Sequence, residues 1–122
     1  MTDIQRQHSN ARMSKAVIHG GLVYLCGQTA NGSASATGDI ATQTTEVLSR
    51  IDALLAGAGS DRGRLLSTTI YLREMQDFAG MNAVWESWLA EKQAGTPARA
   101  TVQAALAVDS LRVEIVVVAA AG

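Results

Sequence analysis

The sequence predicts an α+β domain in which two helices cover one face of a β-sheet. Two stretches repeat their apolar residues at helical spacing. Five short β-branched or aromatic runs surround them, in the order β-β-α-β-α-β-β. At 122 residues the chain fits one domain, spanning 1–122. Its 48% apolar and 17% charged residues exclude a disordered chain.

The first two strands are read from Ala16-Val17-Ile18 and from Leu22 to Cys26, separated by Gly20-Gly21. Two glycines between such runs are a hairpin signal. Asn31 to Gly38 is small and polar, a loop with little to bury. Asp39 suits an N-cap, and Val47, Leu48, Ile51, Leu54, Leu55 and Ala58 form one apolar stripe. The first helix is therefore expected over Ile40 to Ala58, ended by Gly57 and Gly59. Arg64 to Leu72 reads as a strand through Thr68, Thr69, Ile70 and Tyr71. Asp77 is the expected cap of a second helix with the stripe Met81, Val84, Trp85, Trp88 and Leu89. Lys92 to Thr96 is a polar turn, and Pro97 prevents the helix from continuing. Ala98 to Leu106 and Arg112 to Ala119 are the last two strands, joined around Val108-Asp109-Ser110. Val113 to Val118 is apolar on both strand faces, and such strands are usually covered on both. With two helices available for one face, a second copy of the chain is the expected cover for the other.

Ten Lys and Arg against eleven Asp and Glu give a net charge of −1. That leaves little surplus for a phosphate-binding face, so no nucleic-acid partner is expected. A ribonuclease also gains little support from two histidines, His8 and His19, and 4% aromatic residues. One cysteine, Cys26, permits no intramolecular disulfide and argues for a reducing compartment. The first ten residues carry no apolar stretch like a signal peptide. The longest strongly apolar run, Ile115 to Ala121, is seven residues. A membrane span needs roughly 20. A cytoplasmic protein without a membrane partner is expected.

No nucleotide, metal or nucleophile-elbow signature is present, and neither histidine has ligand spacing around it. No metal and no cofactor are expected. Two charges interrupt apolar strands. Arg99 shares a strand face with Thr101 and Gln103, and Glu114 stands on a face otherwise given to Val116 and Val118. A lone carboxylate there must be paired, hydrated or set at a pocket. The structural alternative is an edge-strand charge for Arg99 and a cross-strand ion pair for Glu114. The chemical reading is a carboxylate anchor beside a water-handling group, on neighbouring strands. An arginine fork binds a carboxylate bidentately, and a carboxylate can exchange a proton with water. Cys26 reads as a small buried hydrophobe, and Trp85 and Trp88 as core or interface.

At these residues the sequence resembles the Rid (reactive intermediate deaminase) family, from about Arg12 to Ala119. The matching pieces are Gly21 to Gln28, Gln43-Thr44 with Val47-Leu48, Ala58-Gly59 and Thr69 to Leu72. They continue through Met75-Gln76-Asp77-Phe78, Asn82, Pro97-Ala98-Arg99-Ala100 and Val113-Glu114-Ile115. The resemblance implies a chorismate-mutase-like fold and a homotrimer with a central β-barrel. It also implies active sites in clefts between subunits.

The implied activity is cofactor-free hydrolysis of 2-imino acids such as 2-iminopropanoate and 2-iminobutanoate to 2-keto acids and ammonia. Arg99 matches the arginine that holds the substrate carboxylate, and Glu114 the glutamate associated with the attacking water. Thr101 stands where many members have cysteine. Cys26-Gly27-Gln28 matches a segment that lines the cleft, often written Ser-Gly-Gln. Met13 stands where an aromatic residue often closes the pocket, so Met13 and Cys26 alter its wall. The alternatives are a non-catalytic trimer sensing a small carboxylate and an aminomuconate-type enamine deaminase.

Overall fold

Six strands form one sheet, and the first of them was not expected. The computed structural model describes residues 3–122; Met1 and Thr2 lie outside the described residues. The elements are β1 (Gln5–Ser9), β2 (Ser14–His19), β3 (Leu22–Leu25), α1 (Ile40–Gly57), β4 (Leu65–Leu72), α2 (Phe78–Glu91), β5 (Ala98–Gln103) and β6 (Val113–Ala120). The α+β class with two helices on a sheet stands, with a strand added ahead of the expected series. β1 reads Gln-Arg-Gln-His-Ser and pairs antiparallel with β2 from Gln5↔Ile18 to Ser9↔Ser14.

Local chemistry explains the other boundaries. Gly20 and Gly21 hold φ of 59° and 79°, the paired positive values that turn β2 into β3. The Asp39 carboxylate accepts from the Thr42 amide at 2.9 Å, capping α1. That bond holds the Asp39 carboxyl below its usual range. Asp77 stands at the N-cap of α2 but makes no capping bond. Its carboxylate instead pairs with Arg112 at 3.2 Å, tying the start of α2 to the approach of β6.

The strand order is β1-β2-β3-β6-β4-β5. β5 is the far edge, parallel to β4 and reached through α2, while β6 runs antiparallel between β3 and β4. The last two strands are therefore not neighbours: β4 lies between them. Strand β6 alternates strictly: Val113, Ile115, Val117 and Ala119 are buried, while Glu114, Val116 and Val118 are half-exposed. The buried set meets Val47, Leu48, Ile51 and Leu55 of α1 and Met81, Trp85, Trp88 and Leu89 of α2 in one core. The opposite face is bare within the chain, with Tyr24 and Val102 both 44% exposed.

Gln43 locks the loop that leads into β6. Fully buried, it donates to the Ala36, Gly38 and Ser110 carbonyls and accepts from the Arg112 amide at 2.8 Å. Satisfying every polar atom of a buried amide in this way fixes two loops at once. Glu114 follows two residues after Arg112, so this clamp sets where it begins.

Candidate functional site

The expected site residues fall into two groups on opposite faces of the sheet. In register, Glu114 lies beside Tyr71, and Tyr71 beside Val102, so these three share the bare face. Arg99 pairs with Thr68 and Thr101 with Ile70, and both Thr68 and Ile70 are buried on the helix side. Arg99 and Glu114 are also two strands apart, about 10 Å, and about another 10 Å apart along the strands. One chain does not bring them together. The expectation of neighbouring strands is corrected by β4, which lies between β5 and β6.

The first group gathers at the end of β3. Between β3 and β6 the pairing passes from Tyr24↔Val118 to Gln28↔Ile115, one residue longer on the β3 side. The bulge so formed re-aims Cys26-Gly27-Gln28 across Glu114. A Cβ on Gly27 would lie 2.1 Å from Glu114 Oε2. Only glycine leaves that space to the carboxylate. Gln28 is buried, its amide donating to Ile115 O at 2.9 Å and its side chain to Cys26 Sγ at 3.2 Å. Cys26 is half-buried, and burial pushes its thiol up, away from thiolate character. Met13 is 48% exposed on the β1–β2 turn, two residues before Lys15, whose carbonyl accepts the Cys26 amide.

Glu114 has no ion-pair partner among the described residues, so the cross-strand pair is not formed. It instead edges a depression of about 290 Å³ with Tyr71, Val116 and Ala104 to Leu106.

The second group sits at the β5 edge. Arg99 is exposed; its Nη1 donates to Asn82 Oδ1 at 2.8 Å, and its guanidinium lies 6.0 Å from the Phe78 ring centre and 5.8 Å from that of Trp85. No carboxylate pairs with it among the described residues. A cation held by an amide and two rings keeps its charge available to an anion. Thr101 is half-buried on the same face, with a hydroxyl that has no hydrogen-bond partner among the described residues. Asn82, Phe78 and Trp85 were not expected here. Their spacing puts all three on one face of α2, and an amide within that apolar face was the available signal.

A family model described as endoribonuclease L-PSP matches residues 4–121. The RutC family protein YoaB of Escherichia coli is 40% identical over 117 residues, 96% of this chain and 97% of that protein. A crystal structure of a YjgF-family member from Neisseria meningitidis has a TM-score of 0.87 at 42% identity, covering 98% of this chain and 96% of that one. The chain belongs to the Rid/YjgF family. Another Rid relative is the 2-iminobutanoate/2-iminopropanoate deaminase of Escherichia coli. It is 32% identical over 81 residues, 66% of this chain and 63% of that protein. Among the described residues no helix is long and apolar enough to cross a membrane. None of them form a cluster of three or more metal-ligating side chains.

Proposed function

We propose that the chain is a hydrolytic deaminase of small 2-imino or enamino acids, working as a homotrimer with sites between copies. The observation that supports it most is Arg99, an exposed guanidinium oriented by neutral groups and without an anionic partner among the described residues. A substrate carboxylate completes it. Because Glu114 faces the other side of the sheet, the Glu114 acting on that substrate comes from a second copy. The bare face carrying Tyr24, Val102, Val116 and Val118 is the surface such copies would bury.

In this reading, water held by Glu114 adds its oxygen to the carbon of the protonated C=N bond. The carboxylate takes the released proton and passes it to nitrogen of the resulting carbinolamine. The C–N bond then breaks and ammonia leaves, while the hydroxyl gives its proton to the Glu114 carboxylate as the C=O bond of the keto acid forms. No electrons are exchanged, so water is the only co-reactant. The named deaminase among the relatives supports this substrate class.

An amino-acid oxidase supplying 2-iminobutanoate gives the test. Release of 2-oxobutanoate is expected to accelerate with the wild-type chain. Glu114→Gln is expected to lower turnover about 100-fold or more, the scale of an acid–base role, with assembly unchanged. No acceleration by the wild type overturns the deaminase reading. A second reading, a trimer that binds carboxylates without turnover, draws on the higher identity and coverage of the RutC-named relatives. Saturable keto-acid binding without acceleration would decide for it. Light scattering is expected to give about three times the 12.8 kDa chain mass, and a stable monomer would contradict the intersubunit site.

A further inference from the structure

Arginine has five N–H donors and no acceptor, so the Asn82 atom facing Arg99 Nη1 is its carbonyl oxygen. Asn82 is half-buried on α2, one turn after Phe78 and one before Trp85, so the amide and the two rings grip the guanidinium from a single helix face. The Nε and Nη2 donors of Arg99 have no partner among the described residues. We propose that Asn82 is the positioning residue that keeps this site a receptor for one external carboxylate. Its neutral carbonyl occupies one Nη1 donor and turns the Nε–Nη2 edge outward, without cancelling the charge. An aspartate there would be nearly the same size and would keep the hydrogen bond, but it would act as a built-in competing anion.

The inference rests on the carboxylate-binding reading of Arg99 and is independent of whether turnover follows. It makes an ordering that a structural role reverses. Were Asn82 only a strut, Asn82→Asp would be the mild change and Asn82→Ala the harmful one, because Asp retains the acceptor. For a receptor kept open by neutrality, Asn82→Asp is the harmful one.

Calorimetric titration with 2-oxobutanoate, and with 2-oxobutanamide as its uncharged analogue, separates the cases. The wild type is expected to prefer the acid. Asn82→Asp is expected to weaken acid binding by about tenfold to a hundredfold, the scale of losing a charge-assisted contact, and Asn82→Ala by less. Melting temperatures of both variants are expected to stay near that of the wild type, and Asn82→Glu provides a second internal carboxylate should Asn82→Asp not fold. Acid binding by Asn82→Asp equal to the wild type, or weaker in Asn82→Ala than in Asn82→Asp, overturns the role of Asn82 and leaves the carboxylate reading intact. Equal binding of acid and amide by the wild type overturns the carboxylate reading itself.

Discussion

Two arginines of this chain lie over adjacent tryptophans and do opposite things. Arg62 sits 4.7 Å above the ring of Trp88, and Arg99 sits 5.8 Å from that of Trp85; the two rings are 5.5 Å apart. Arg62 is buried, forks onto the Asp52 carboxylate at 2.5 and 3.1 Å, and also donates to the Trp88 carbonyl at 2.6 Å. Asp52 in turn accepts from Trp88 Nε1 at 3.0 Å. Every part of that guanidinium is engaged, and it ties α1 to the end of α2. Arg99 has the same aromatic support but a neutral amide in place of the carboxylate. The difference teaches that the same aromatic support serves a strut where a carboxylate neutralises the arginine, as at Arg62, and leaves the Arg99 charge open to an external anion where a neutral amide replaces it.

The strut gives the largest expected effect. Arg62→Ala leaves Asp52 with no cation, and we expect a loss of about 3 kcal/mol, the low end for breaking a buried pair because Asp52 stays one-third exposed. Chemical unfolding at fixed chain concentration measures it, with 2-oxobutanoate affinity expected to be unchanged. A loss of affinity with unchanged stability would break the comparison.

Arg99→Lys is the mirror experiment. Lysine keeps the charge without the planar fork, and we expect keto-acid affinity or turnover to fall roughly 30-fold to 100-fold. The unfolding midpoint should barely move, since Arg99 is exposed and makes no ion pair among the described residues. Near-normal kinetics in this variant would remove Arg99 from the site.

The smallest effect belongs to Gly27. A methyl there collides with the end of the Glu114 side chain, which is flexible enough to swing aside. Gly27→Ala is therefore expected to change stability by less than about 1 kcal/mol and to reduce turnover about tenfold by displacing the carboxylate. Keto-acid binding at Arg99 should persist, and a variant that loses binding as completely as turnover would contradict the division into two groups.

Much of the fold was legible because buried faces impose a period. The α1 stripe and its Asp39 cap appear where the spacing puts them, and α1 ends within one residue of expectation. β1 was not legible because Gln5 to Ser9 are polar and almost wholly exposed, so no alternation marks them. Pairing order was hidden for a different reason. Nothing in the period of β5 or β6 says that β4 separates them, and the register across β4 sets Arg99 and Glu114 on opposite faces. The sequence therefore singles out Arg99 and Glu114 but does not show how they stand to one another. Arg62 escaped notice because a buried ion pair between distant segments has no spacing signature.

The central claim is that Arg99 of one copy and Glu114 of another complete each site, and subunit mixing tests it most directly. Arg99→Ala and Glu114→Gln variants, each inactive alone, would be unfolded together at equal amounts and refolded. Random assembly of a cyclic trimer places an intact Arg99 against an intact Glu114 at about a quarter of the sites. We predict recovery of about that fraction of wild-type keto-acid release. No recovery in trimers containing both variants would mean that each site draws both residues from one chain, and the account would be wrong.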